Sequence, residues 1–117
     1  MGDHCMIKNS DFGGFLVSNN VINGLRIQYT YREESSISQL NGWTIISEAD
    51  DASYVSNPDN FTILGATSIA QISPVILEIF SAKYGTDLFW IYENNVHIGF
   101  YDLISDREVT IQEILEI

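Results

Sequence analysis

The chain is 117 residues long, enough for one domain and too short for two independent cores. Hydrophobic residues make up 45% of it and charged residues 18%, a balance that buries a core and excludes intrinsic disorder. Five Lys and Arg stand against sixteen Asp and Glu, a formal net charge of -11, and a field of that sign repels phosphate backbones and anionic lipid surfaces, so nucleic acid and membranes are excluded as partners.

Phe15-Leu16-Val17-Ser18 opens the chain order as a β-prone run, and Asn19-Asn20 with Asn23-Gly24 supplies turn chemistry after it. From Leu25 the residues alternate. Leu25, Ile27, Tyr29 and Tyr31 fall on one face and Arg26, Gln28, Thr30 and Arg32 on the other, the period of a half-buried strand. Glu33 to Asn41 is polar and reads as a loop, and Gly42 precedes the strand-like run Trp43-Thr44-Ile45-Ile46-Ser47. Asp, Asn and Pro dominate Glu48 to Asn60, which predicts a surface loop with only brief regular structure.

Ile69, Ile72, Ile76, Ile79 and Phe80 then approximate a helical stripe. Ser73-Pro74 reads as an N-cap with proline at the first helical position, so the spacing predicts a helix from Pro74 to near Tyr84, closed by Gly85 and preceded by a short turn at Ser68 to Ile72. Leu88 to Tyr92 and Val96 to Tyr101 read as a hairpin about Asn94-Asn95. Thr110-Ile111-Gln112-Glu113 fits a capping box, although the β-branched content there leaves a strand open. The expected architecture is a single α+β domain over residues 1–117, an antiparallel or mixed β-sheet packed by one or two helices.

Tests for chemistry return little. Nucleophilic catalysis needs Ser or Cys beside a base, yet the only histidines are His4 and His97, and no G-x-S-x-G elbow occurs. His97, between Val96 and Ile98 on the hairpin, is expected to be solvent-facing or a hydrogen-bonded structural residue. Asp3, His4 and Cys5 are consecutive and cannot present spaced metal ligands, and Asp50, Asp51 and Asp59 lack the glycine and spacing of a calcium loop. P-loop, G-x-G-x-x-G and H-E-x-x-H motifs do not occur. The reading assigns no catalytic residue, no cofactor and no metal. Cys5 is the only cysteine, which fits a reducing compartment, and the first residues lack the basic cluster and apolar run of an export signal, so a cytoplasmic location is expected.

Charge distribution is more informative. Between Arg32 and Lys83 the chain carries Glu33, Glu34, Glu48, Asp50, Asp51, Asp59 and Glu78 and not one Lys or Arg. Such an interval either keeps the protein soluble or steers a basic partner. Tyr29, Tyr31, Trp43 and Tyr54 lie near the same acids in sequence, as core residues or as interface anchors. Arg32 is expected to pair a carboxylate such as Glu48, Asp50 or Asp51, or to serve the interface. The Asp50-Asp51 loop is expected to be exposed, so that reversing both charges leaves the fold intact.

Tyr29-Thr30-Tyr31-Arg32-Glu33-Glu34, then Gly42-Trp43, then Asp50-Asp51 through Tyr54 and Asn57-Pro58-Asp59-Asn60, form an ordered series of marks. The series resembles the type thirty-three immunity-protein domain of bacterial polymorphic toxin systems, formerly a domain of unknown function. The resemblance covers about residues 15–90, with Phe15 to Ser18 on the opening strand and Ile69 to Ser81 on the helical region. Leu40-Asn41 depart from the Asp-Ser that the family tends to place before Gly-Trp. The resemblance implies an antitoxin-like binder of a cognate protein toxin, acting in a bacterial cytoplasm without cofactor or turnover. It carries Arg32, Glu33, Glu34, Gly42, Trp43, Tyr54, Asn57, Pro58 and Asn60 across as marks of fold or of binding. Joined to the charge count, it makes Tyr31, Arg32, Glu33, Glu34, Trp43, Asp50, Asp51, Tyr54 and Asp59 the expected partner-binding set, facing a basic toxin surface. A stand-alone regulatory or small-ligand-binding module is the second reading.

Overall fold

A computed structural model of the chain describes residues 9–116. Asp3, His4 and Cys5 lie outside the described residues. The strands are β1 (Gly14–Ser18), β2 (Ile27–Arg32), β3 (Leu40–Ser47), β4 (Phe61–Leu64), β5 (Asp87–Glu93), β6 (Val96–Asp102) and β7 (Arg107–Val109). They form one seven-stranded mixed sheet in the order β4-β1-β3-β2-β5-β6-β7. β1 and β3 run parallel and every other neighbouring pair is antiparallel. Among the described residues six short α-helices and one 3-10 turn (Pro58–Asn60) accompany the sheet: α1 (Asn9–Phe12), α2 (Asn19–Ile22), α3 (Ala52–Val55), α4 (Ala66–Ile72), α5 (Val75–Glu78) and α6 (Ile111–Glu116). The class is α+β. Among the described residues no helix is long and apolar enough to cross a membrane.

Local chemistry accounts for several elements. Asn94 and Asn95 both take positive φ, 53° and 65°, the conformation that a two-residue turn between right-twisted strands demands, and so close the β5–β6 hairpin. At α6 the Thr110 Oγ1 accepts from the Glu113 amide at 3.1 Å while Glu113 Oε1 accepts from the Thr110 amide at 2.9 Å, so the capping box decides for helix. β4 and β7 add two short edge strands that the turn-rich sequence around them concealed.

The helical region differs from its expected form. α4 occupies the stretch expected to be a short turn, and the helix expected over Pro74 to Tyr84 is reduced to the four residues of α5. Just beyond α5, Arg32 Nη1 donates to the Phe80 and Ala82 carbonyls at 2.8 Å each, and Trp43 Nε1 donates to the same Phe80 carbonyl at 3.0 Å. Those carbonyls are thereby taken by side chains rather than by a further helical turn.

β2 carries the most consequential correction. Its register against β3 shifts between Ile27 and Tyr29, so one extra residue enters the strand and the alternation changes phase. Ile27 and Thr30 are both buried toward the helices, whereas Tyr29 and Tyr31 point to the opposite face and are only half-buried. The core lies between the sheet and the helices. Phe15, Val17, Trp43, Ile45, Leu88, Trp90, Phe100 and Val109 from the strands meet Ala66 and Ile69 of α4, Ile76 of α5, and Ile114 of α6. Among the described residues the opposite face of the sheet has no layer of helices over it, only α3 at its border.

Candidate functional site

On the helix-covered face Arg32 is fully engaged. Besides its two bonds beyond α5, its Nε donates to the Asn41 carbonyl at 3.0 Å, and its guanidinium lies 5.0 Å from the Phe80 ring centroid and 4.7 Å from that of Tyr84. The expected carboxylate partner is replaced by three backbone carbonyls, a use that suits the planar, five-donor guanidinium. Trp43, expected at a partner interface, is 1% exposed and belongs to the core. Between them Gly42 takes φ +94°, and a Cβ built there would stand 2.2 Å from the Glu33 carbonyl oxygen. Only glycine fits that crossing.

The open face is built by register. Cross-strand partners share a face in antiparallel pairs, so Tyr29 stands with Ile46 and Phe89, Tyr31 with Thr44 and Asp87, Phe89 with Tyr101, and Tyr101 with Glu108. Toward β4 the same face continues through Leu16 and Ile63. The Tyr29 and Tyr31 rings lie 5.3 Å apart, and Phe89 is 38% exposed. Asp87 sits among these rings, and its Oδ1 is buried with no hydrogen-bond partner. Burial first, and then hydrogen bonding to and repulsion from the Asp87 carboxylate, raise the Tyr29 hydroxyl well above its ordinary pKa. At the far edge the Tyr101 hydroxyl donates to Asp106, which raises Tyr101 as well.

Among the described residues no Lys or Arg lines the centre of this face. Arg26 binds Glu48 at 2.8 Å and lies over the Tyr92 ring, Arg32 is held as described, Arg107 pairs with Glu113 of α6 at 3.0 Å, and Lys83 lines a cavity beside Leu88, Asp102 and Ile114. All four belong to the covered side or its rim. The open face and its border carry Glu33, Asp51, Asp87, Asp106 and Glu108 instead. An open groove of about 650 Å³ runs between α3 and the centre of this face, lined by Tyr29, Tyr31, Ile46, Phe89, Asp50 and Asp51.

The expected binding set therefore divides. Tyr31, Asp50 and Asp51 line the groove, and Glu33 and Glu34 are exposed beside a second depression next to Leu16 and Thr44. Tyr54 lies instead in α3, and Asp59 in the short 3-10 turn Pro58–Asn60 that leads to β4. There the Tyr54 carbonyl accepts from Asn60 Nδ2 at 2.9 Å, and Asn57 Oδ1 accepts from the Asp59 amide at 3.0 Å. Asp50 and Asp51 also hold the fold. Asp50 accepts from Asn20 Nδ2 at 2.7 Å and the Ser47 amide at 2.8 Å, and Asp51 caps α3 by accepting from the Tyr54 amide at 2.8 Å. Burial pushes the Asp50 carboxyl up, but hydrogen bonds from Ser18, Asn20 and Ser47 outweigh it and hold the group below its ordinary value. Reversing both charges would break this loop, contrary to the expectation of an intact fold.

A family model described as the Immunity protein Imm33 domain matches residues 15–103. The chain belongs to this family. The Imm33 match continues past residue 90, where the resemblance read from the sequence stopped, and takes in both β5 and β6. No curated protein matches the chain. No solved structure matches it either. Of the residues that carried the resemblance, Arg32, Gly42, Trp43, Tyr54, Asn57 and Asn60 each make a contact that holds the fold. Asp87, Phe89, Tyr101 and Glu108 were not singled out from the sequence. One signal was present: Asp87 and Phe89 alternate with Leu88 and Trp90, a polar and aromatic row opposite an apolar one.

Proposed function

We propose that the protein is a bacterial immunity protein that binds and neutralises a cognate protein toxin in the cytoplasm, without catalysis or cofactor. Membership of the Imm33 family supports toxin immunity. One observation supports the mode of binding: acids border an uncovered aromatic sheet face while Arg26, Arg32, Lys83 and Arg107 are held elsewhere. Rings flanked by carboxylates suit a basic protein surface, the rings supplying desolvated contact area and the charges steering approach. The acidic surface of the proposal is thus the open sheet face, with Glu33, Asp51, Asp87 and Glu108 as its charges, rather than the whole acid-only interval of the sequence.

Two experiments test this. Cells expressing a candidate toxin drawn from the genes neighbouring this one should survive when the protein is co-expressed, and continued killing with every such candidate would count against immunity. Stopped-flow association with that toxin should slow as salt rises, because the Debye length falls from about 10 Å at 0.1 M to about 3 Å at 1 M. A rate indifferent to salt would remove the charge argument and leave the rings. The small-ligand reading has one observation behind it, the cavity of about 250 Å³ beside Lys83, Leu88, Asp102 and Ile114. Asp102 there is already satisfied by the Ile104 amide and the Ser105 hydroxyl, at 3.0 and 2.7 Å, which leaves the cavity poor in free polar groups.

A further inference from the structure

Asp87 is the placed acid with a buried oxygen left unsatisfied. Asp50, Asp51, Asp102 and Asp106 all accept hydrogen bonds, and Glu48 and Glu113 pair with arginines, yet Asp87 Oδ1 is buried and receives none. Strand pairing leaves it no freedom to escape, since it sits opposite Tyr31 in β5 and its carbonyl accepts from the Leu103 amide at 3.0 Å. Its carboxylate accepts from the Tyr29 hydroxyl but no described cation balances it, and a charge partly withdrawn from water without a counter-ion costs stability, so folds retain such groups where something else will bind them. The cations named above are committed elsewhere or lie on the covered side, so the missing charge comes from outside the described chain.

We propose that the centre of the open face is a receptor for one arginine side chain of the protein partner, its guanidinium meeting Asp87 and its plane lying against Phe89 and the Tyr29–Tyr31 pair. The rings favour arginine over lysine, because a guanidinium is weakly hydrated, stacks on aromatic faces and presents several donors in one plane, whereas an ammonium is a strongly hydrated point charge. The Tyr29 hydroxyl, held protonated by the same carboxylate, keeps the surroundings of Asp87 free of a second anion. This inference rests on the open-face reading of partner binding given above.

The test needs no toxin. The isotope-labelled protein is titrated with acetyl-Gly-Arg-Gly-amide and with the same peptide carrying citrulline, while the ring resonances of Tyr29, Tyr31 and Phe89 are followed by NMR. The arginine peptide should shift those resonances in a saturable way and the neutral peptide should not. Asp87→Asn should weaken the arginine peptide about tenfold or more, the loss expected for one hydrogen bond to a charged group. Because it removes a charge that no described cation balances while keeping an acceptor for the Tyr29 hydroxyl, Asp87→Asn should melt no lower than wild type; a clear fall in Tm would make the Asp87 charge a requirement of the fold and overturn the proposal. Phe89→Ala, at an exposed position, should weaken the peptide several-fold with the fold retained. Shifts spread evenly over the exposed acids, or unchanged by both variants, would also overturn it. Peptide binding without protection of cells would sink only the immunity reading, and protection without peptide binding only the arginine receptor.

Discussion

On the helix-covered face the strands send in side chains that close on one another, whereas on the other face the same strands end in rings and carboxylates that meet no further layer. Trp43 and Arg32 share the Phe80 carbonyl, and Trp90 Nε1 donates to the buried Thr30 hydroxyl at 3.1 Å, so even the polar groups of the covered side are satisfied within the fold. Asp87, one strand position from the buried Leu88, has an oxygen that nothing satisfies. Completeness on one side and incompleteness on the other teach that stability and recognition are carried by opposite faces of one sheet. Substitutions on the two faces should therefore separate into those that change stability and those that change binding.

The largest effect is expected at the crossing beside the covered face. Gly42→Ala places a Cβ where the Glu33 carbonyl already stands and asks alanine to hold φ +94°, so the variant should lose cooperative unfolding altogether by circular dichroism. Arg32→Ala comes next. It leaves three carbonyls without their donor and should cost about 2–3 kcal/mol in chemical denaturation. Unchanged stability with lost partner binding would move Arg32 to the interface and break the comparison.

Asp50 sharpens it, because this acid borders the open groove yet serves the fold. Asp50→Ala should cost about 1 kcal/mol, a modest figure because the site is largely open to water. Its native carboxyl is held below the ordinary value, so its contribution is present above the unfolded pKa near 3.8 and is lost as pH falls through the native one. The smallest effect concerns His97. Burial lowers its pKa, and the Gly99 carbonyl at 2.8 Å from Nε2 offsets this only in part, so the unfolded chain takes up the proton first as pH falls below about 6.5. Stability should therefore decline from pH 7 to 5 with a slope that His97→Gln flattens, and an equal slope in both proteins would show that His97 is not the group responsible.

Elements set by neighbouring residues were legible in the sequence. The Asn94-Asn95 hairpin and the Thr110–Glu113 capping box form where local chemistry points, because turn and cap preferences act within four residues. What depends on distant partners was not legible. The phase change in β2 is a property of its pairing with β3, and strict alternation placed Tyr29 and Tyr31 beside Ile27 when they face the other way. The side-chain capture of the Phe80 and Ala82 carbonyls after α5 comes from Arg32, about 50 residues earlier in the chain. The acid-only interval gave the sign of the surface but not its place, since Arg26 pairs with Glu48 from outside the interval and Asp87 lies beyond its end. Glycine at a tight crossing and Arg-Trp at a shared carbonyl were legible for a related reason: they are demands of the fold, and of the residues carried across by the resemblance Glu33 alone is counted among the charges of the face proposed to bind.

Paired charge reversals test the division between the faces most directly. Glu33→Lys with Glu108→Lys alters the open side, and Glu78→Lys with Glu116→Lys alters the helix-covered side, all at exposed positions. Affinity for the candidate toxin that the protein protects against is measured by titration calorimetry for both double variants, with Tm recorded for each. The open-side pair should weaken binding by about a hundredfold, from like charges set against a basic surface, while the helix-side pair stays within about threefold and both melt close to wild type. Equal losses from the two pairs, or a larger loss from the helix side, would contradict the account.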